Sequence, residues 1–177
     1  DFLQIQLSGS IAVEVEVGPD ESVRVEADDN IVPLIATAVV GSTLKISTRG
    51  GFSTDQPVRV MVTVPQLVEV YHSGSGSVRA QGIDSDNFVA KLQGSGAIEL
   101  AGHADALMAT IDGSGALAAT SLVTTSATVD LVGSGTAEVH ASEQLVIAIA
   151  GTGSVRYTGD PKDITRKIFG SGTIAPL

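Results

Sequence analysis

The chain has 177 residues, of which 43% are apolar and 3% aromatic, with no cysteine and no tryptophan. Its 20 acidic and 10 basic residues give a net charge of −10, which repels phosphate backbones and excludes nucleic acid as a partner. Without cysteine there is no disulfide framework and no thiolate metal site, and any core must be built from Val, Ile, Leu and Ala.

The chain opens at Asp1 with no charged segment leading into an apolar one, so no signal peptide is visible. Ile11 to Val17 alternates strictly between apolar and polar residues. Gly18-Pro19-Asp20-Glu21 reads as a turn, and Ser22 to Ala27 alternates again, which predicts a hairpin. The longest apolar run, Ile31 to Val40, is broken by Pro33 and is shorter than the ~20 residues of a membrane-spanning helix. Val39-Val40, Gly41-Ser42 and Leu44-Lys45-Ile46 predict a second hairpin, and Val58 to Val64 a further strand stopped at Pro65. Residues 1–72 therefore read as a partly antiparallel β layer that caps the remainder of the chain.

Residues 73–177 are a repeat. Gly74-Ser75-Gly76, Gly94-Ser95-Gly96, Gly113-Ser114-Gly115, Gly133-Ser134-Gly135, Gly151-Thr152-Gly153 and Gly170-Ser171-Gly172 return at intervals of 20, 19, 20, 18 and 19 residues. Aligned on the first Gly, the position four later holds Val78, Ile98, Leu117, Ala137, Val155 and Ile174. Two before it stand His72, Leu92, Ile111, Leu131, Ile149 and Ile168, and six before it Phe88, Leu107, Ala127, Leu145 and Ile164. Even steps between apolar columns are strand periodicity with one buried face. A unit this short cannot bury that face alone, but stacking units in register turns each column into a ladder inside a solenoid. The fold predicted is all-β: a right-handed, single-stranded parallel β-helix of pectin-lyase-like shape, its coils ~4.8 Å apart. The glycines serve as stacked structural corners, where positive φ and close backbone approach exclude a side chain.

The opening Phe2-Leu3-Gln4-Ile5, the strand Ala12-Val13-Glu14-Val15, Leu44-Lys45-Ile46, and Val64-Pro65-Gln66-Leu67 leading into Ser73-Gly74-Ser75-Gly76 carry a resemblance over nearly the whole length. The chain resembles the auto-transporter adhesin head GIN domain family of bacteria. That resemblance implies an exported, non-enzymatic protein of the periplasm, outer-membrane surface or extracellular space, with adhesion as its role. Members often carry Asp or Asn directly after the corner, whereas this chain has Ser77, Ala97, Ala116, Thr136, Ser154 and Thr173 there, which weakens any cation-binding role for that column.

Other chemistry finds little support in the residues. A dinucleotide loop needs a third Gly and a helix behind it, and Arg79 and Arg156 occupy that third position. Asp28-Asp29-Asn30, Asp84-Ser85-Asp86-Asn87 and Asp160-Pro161-Lys162-Asp163 are oxygen-rich, but none matches a calcium loop, and Asp and Asn favour turns on backbone grounds alone. Glu99 and Glu138 share an outward column two coils apart, ~9–10 Å by coil spacing, and so need weighing as a glycosidase pair. No aromatic platform accompanies them among Phe2, Phe52, Phe88, Phe169, Tyr71 and Tyr157. His72, His103 and His140 are scattered, so no metal, cofactor or catalytic residue is assigned.

Together these features read as a non-catalytic binding or adhesion module for a protein or glycan partner. The alternatives are a polysaccharide-acting hydrolase or lyase, and a purely structural assembly domain. One outward column changes character along the chain, from Ser73, Gln93 and Asp112 to Val132, Ala150 and Phe169, with Val146 and Ala148 on the same parity. These five apolar residues predict a contact face, covered either by another copy in a homo-oligomer or by the chain's own end, Ala175-Pro176-Leu177, or its N-terminal layer.

Overall fold

The computed structural model describes residues 2–51 and 58–177; Asp1 and Phe52 lie outside them. Among the described residues fifteen strands form one continuous sheet that winds into a parallel β-solenoid, and there is no α-helix. The β-helix expected from the repeat is present. β7 (Glu69–Gly74), β8 (Ser77–Gly94), β9 (Ala97–Gly113), β10 (Ala116–Gly133), β11 (Thr136–His140), β12 (Gln144–Gly151), β13 (Ser154–Thr158), β14 (Asp163–Gly170) and β15 (Thr173–Pro176) stack in parallel. The register pairs Gly74 with Gly94, Gly94 with Gly113, Gly113 with Gly133, Gly133 with Gly151 and Gly151 with Gly170. The corners thus form one line, and the apolar columns run up the interior with Leu107, Ile111, Leu131 and Ile149 fully buried.

The line of corners begins earlier than the Gly-Ser-Gly repeat. β1 (Gln4–Gly9) pairs in parallel with β7, placing Gly9 on Gly74, and β2 (Ala12–Val17) pairs in parallel with β8. Gly9-Ser10-Ile11 is therefore a corner with Ile11 in place of the second glycine. Below it, β5 (Thr43–Thr48) and β6 (Arg59–Val64) make one more parallel rung, against β1 and β2. Among the described residues only the two outermost strands are antiparallel: β3 (Ser22–Glu26) on β6 and β4 (Ile35–Val40) on β5. A reversed strand ends the parallel ladder and blunts an edge that would otherwise recruit another chain.

The second expected hairpin is β4–β5, turning at Gly41-Ser42. The first is not formed. β2 and β3 do not pair, because β6 lies between them, parallel to β2 and antiparallel to β3. Packing explains the difference. β6 buries Val60, Val62 and Val64 completely, whereas β3 is exposed along most of its length and offers only Val23 and Val25. Each fully buried Val contributes ~1.5 kcal/mol or more, so the more apolar strand takes the inner place. The turn at Gly18-Pro19-Asp20-Glu21 steps over one strand instead of closing a hairpin.

The last rung, β14 and β15, leaves Ile168 43% exposed and Ile164 and Ile174 half-buried. In the column that holds Ala90, Ala109, Val129 and Ile147, this rung has Arg166. Its guanidinium donates to the Tyr157 hydroxyl at 2.8 Å and lies 5.8 Å from that ring's centre.

Candidate functional site

The corners are engaged by the fold. Ser95 N donates to Gly74 O at 3.1 Å, Ser114 N to Gly94 O at 3.0 Å and Thr152 N to Gly133 O at 2.9 Å. These amides already have acceptors and form no phosphate cradle. The hydroxyls between the glycines stand one above another, with Ser114 Oγ and Ser134 Oγ hydrogen-bonded at 3.1 Å.

The face that succeeds the corners carries the two candidate carboxylates, Glu99 and Glu138. Arg79 clasps Glu99 through Nε at 2.9 Å and Nη2 at 2.7 Å, and Arg156 lies 3.6 Å from Glu138. Glu99 is paired toward the preceding coil and Glu138 toward the following one, with Ala118 between them in register. The pair does not converge on a common space. Exposed ion pairs of this kind contribute little. Glu99→Gln is expected to cost less than ~1 kcal/mol in thermal unfolding. Pectin- and mannan-type polymers are expected to show no turnover that this substitution removes.

The histidines stay apart. His72 is fully buried, with Nε2–H donating to Gly76 O at 2.9 Å and Nδ1 3.4 Å from Leu7 O. It fills the column that Leu92 and Ile111 fill above it. His140 Nδ1 accepts from Thr124 N at 3.1 Å, and His103 lies beside Asp105 at 3.6 Å. Among the described residues no group of three or more His, Asp or Glu side chains could hold a metal ion. The Asp28 cluster is a turn whose carbonyl accepts from Ile31 N and Val32 N, and Asp160 sits at φ 52° in a tight bend.

The other outward face is built from β5, β1, β7, β8 and β9, and sequence reasoning did not single it out as a site. Tyr71 stands in its centre, paired in register with Gln6 on one side and Lys91 on the other. Its hydroxyl donates to Gln93 Oε1 at 3.0 Å, Lys91 reaches Glu69 at 2.9 Å, and Thr43 Oγ1 donates to Gln4 Oε1 at 2.8 Å. Two shallow hollows flank Tyr71, and both are lined by Tyr71 and Lys91. The signal was available: Tyr71 precedes the inward His72 by one residue, so it must point out.

Further along the same face, Val132, Ala150 and Phe169 form one ladder, with Val132 50% and Phe169 71% exposed. Val146 and Ala148 are half-buried in the adjoining columns, among Thr128, Thr165, Asp130 and Lys167. The chain end does not fold over this ladder, because β15 continues the solenoid on β13, and the antiparallel N-terminal strands lie at the opposite end.

The fold and its faces define a class: a parallel β-solenoid with glycine corners and two ordered polar faces. Residues 1–161 match the family described as "Putative auto-transporter adhesin, head GIN domain", and the chain belongs to that family. No curated protein matches it. Among solved structures it is similar to a putative adhesin from Bacteroides fragilis, with 23% identity, a TM-score of 0.79 and coverage of 100% of this chain and 93% of the other. It is also similar to a putative lipid binding protein from Parabacteroides distasonis, with 23% identity, TM-score 0.57 and coverage of 100% and 93%. A putative adhesin from Parabacteroides merdae shares 20% identity, TM-score 0.56 and coverage of 100% and 92%. At these identities the structural likeness speaks for the fold alone. No helix among the described residues is long and apolar enough to cross a membrane.

Proposed function

We propose that the chain is a non-catalytic adhesion module of the bacterial envelope or surface, with residues 1–72 and 73–177 working as one body that binds a protein or glycan partner. The observation that carries this reading is the outward face from β5 to β14. It is continuous in register, with ordered polar groups at one end and an uncovered apolar ladder at the other, while the corner amides and the core are engaged by the fold. Family membership supports an exported location in the periplasm, on the outer-membrane surface or outside the cell. A hydrolase or lyase lacks its convergent carboxylates, and a purely structural domain gives no role to the polar groups around Tyr71.

In this reading Val132, Val146, Ala148, Ala150 and Phe169 form the contact between copies, and linked copies raise apparent affinity for a repeated surface ligand. The experiment is binding of the purified chain to immobilised bacterial and epithelial cell surfaces, together with light scattering. Wild type is expected to bind as an oligomer. Phe169→Glu is expected to be monomeric, with unchanged circular dichroism and apparent affinity lower by a factor of roughly 100. A monomeric wild type removes the self-contact, and a chain that binds no surface removes the adhesion module.

A further inference from the structure

The hollows around Tyr71 have the chemistry of a sugar site. Tyr71 is half-buried, and the part of its ring that faces out offers an apolar surface to the C–H face of a pyranose while its hydroxyl stays hydrogen-bonded. Here the hydroxyl is pinned by Gln93, so the ring is held in place before any ligand arrives. Gln6 and Gln93 set amide groups around it that can both donate to and accept from sugar hydroxyls, and the Glu69 carboxylate adds an acceptor. Restraint before binding reduces the ordering cost that weakens exposed sites.

The register adds direction. Gln6, Tyr71 and Lys91 come from three successive rungs, and Gln93 pairs with Asp112 on the rung beyond. Polar groups therefore recur every ~4.8 Å along the solenoid axis. An extended β-linked hexose chain repeats at nearly that spacing, so one chain laid along the axis places successive sugars over successive rungs and meets Gln6, Tyr71 and Lys91 in turn. Tyr71 and Lys91 form the ridge shared by the two hollows, with Gln6 and Glu69 on one side and Gln93 and Asp112 on the other. That arrangement suits sugars on both sides of the ring better than a single monosaccharide.

Charge selects further. Lys91 is paired with Glu69, and the outward Lys45 at the β5 end of the face is matched by Asp112 at the β9 end, so the face is close to neutral within a chain of net charge −10. A face without net charge suits a neutral chain, and the net charge of −10 disfavours uronate or sialylated ones.

We infer that the Tyr71 face binds an extended, neutral, β-linked hexose polymer along the solenoid axis. This inference rests on the adhesion reading and names the ligand class of its polar face.

The probes are cellohexaose and mannohexaose, with maltohexaose and hexagalacturonate as curved and anionic contrasts, measured by titration calorimetry and saturation-transfer NMR. Wild type is expected to bind at least one of the β-linked hexamers, with transfer from the Tyr71 ring protons, and to bind both contrasts more weakly. Tyr71→Ala is expected to weaken binding at least about tenfold. Tyr71→Phe, which keeps the ring, is expected to lose less than Tyr71→Ala, and Glu99→Gln, on the other face, is expected to bind as wild type. Each variant's thermal melt shows that it is folded. If neither β-linked hexamer binds, if Tyr71→Ala binds as tightly as wild type, or if hexagalacturonate is preferred, the inference fails. Failure here with retained cell-surface binding leaves the adhesion reading standing, whereas loss of all binding removes both.

Discussion

Gly113→Val is expected to abolish folding of the solenoid. Gly113 has φ +124°, and a Cβ built on it would lie 2.5 Å from Gly94 O and 3.2 Å from Gly94 C and Cα. That carbonyl cannot tilt away, because it accepts the hydrogen bond from Ser114 N at 3.0 Å and belongs to the next corner down. A β-branched residue also resists positive φ, so conformational strain and backbone overlap act together. The same geometry recurs at Gly74, Gly133, Gly151 and Gly170, where the added atom would fall 2.3–2.4 Å from the carbonyl of the glycine below. Relief at one corner therefore requires moving its neighbours. The expected cost exceeds ~4 kcal/mol, comparable to the whole stability of an ordinary domain. Gly9→Ala provides the graded comparison. It shares the unfavourable φ, +139°, but its Cβ would meet only the Thr48 side chain, at 3.4 Å. It should cost ~1–3 kcal/mol and leave the chain folded. Urea titration followed by circular dichroism distinguishes the two. A Gly113→Val protein with a midpoint near wild type would show that the corners are not held by backbone contact.

The parts of this fold that can be read from sequence are those set by one residue and its periodic neighbours. Gly-Ser-Gly recurs because each corner meets the same obstacle, and Leu92, Ile111, Leu131 and Ile149 recur because each faces the same core. Gly9-Ser10-Ile11 was legible on the same grounds, since Leu7, Val13 and Val15 stand at the column positions around it and all are buried. It was hidden only by the missing second glycine. A second set of bends, at Gly82 and Gly102, has φ +73° and +137° and coincides with a register shift between Ala80 and Ile83. The register shift recurs between Ala118 and Ser121, but there Leu122 stands in register with Gly102, so no glycine period marks it. Strand partners in the N-terminal region were not legible. Whether β2 meets β3 or β6 depends on comparing the burial of Val60, Val62 and Val64 with that of Val23 and Val25, and local alternation is the same in both. The Tyr71 face was hidden for a related reason: Gln6 and Tyr71 are far apart in sequence and become neighbours only because β1 lies between β5 and β7.

That face also depends on what lies behind it. Phe88 is 0% exposed, in the inward column shared with Leu107, Ala127, Leu145 and Ile164. Two residues along, the neighbouring inward column has Ala90, Ala109, Val129 and Ile147, so the largest side chain of one column accompanies one of the smallest in the other. Phe88→Ala would leave small residues at both positions of that rung. The surrounding backbone cannot close the gap, because β8 is hydrogen-bonded in register to β7 on one side and β9 on the other. A site that cannot collapse retains most of its cavity, and the expected cost is ~3–5 kcal/mol. Phe88→Leu, which matches the residue one coil above, should cost ~1.5 kcal/mol or less. The urea midpoint should fall with its slope unchanged, since the surface exposed on unfolding stays nearly the same. Benzene should raise the midpoint of Phe88→Ala and leave wild type unaffected, because a dry apolar cavity of this kind takes up small apolar molecules. The strand that buries Phe88 and Ala90 presents Lys91 and Gln93 outward, beside Tyr71, so the cavity variant should also weaken whatever that face binds, even though no contacting residue has changed. A cost below ~1 kcal/mol would mean that the coils slide together to fill the space, and that the rungs are not the rigid support on which the Tyr71 face depends.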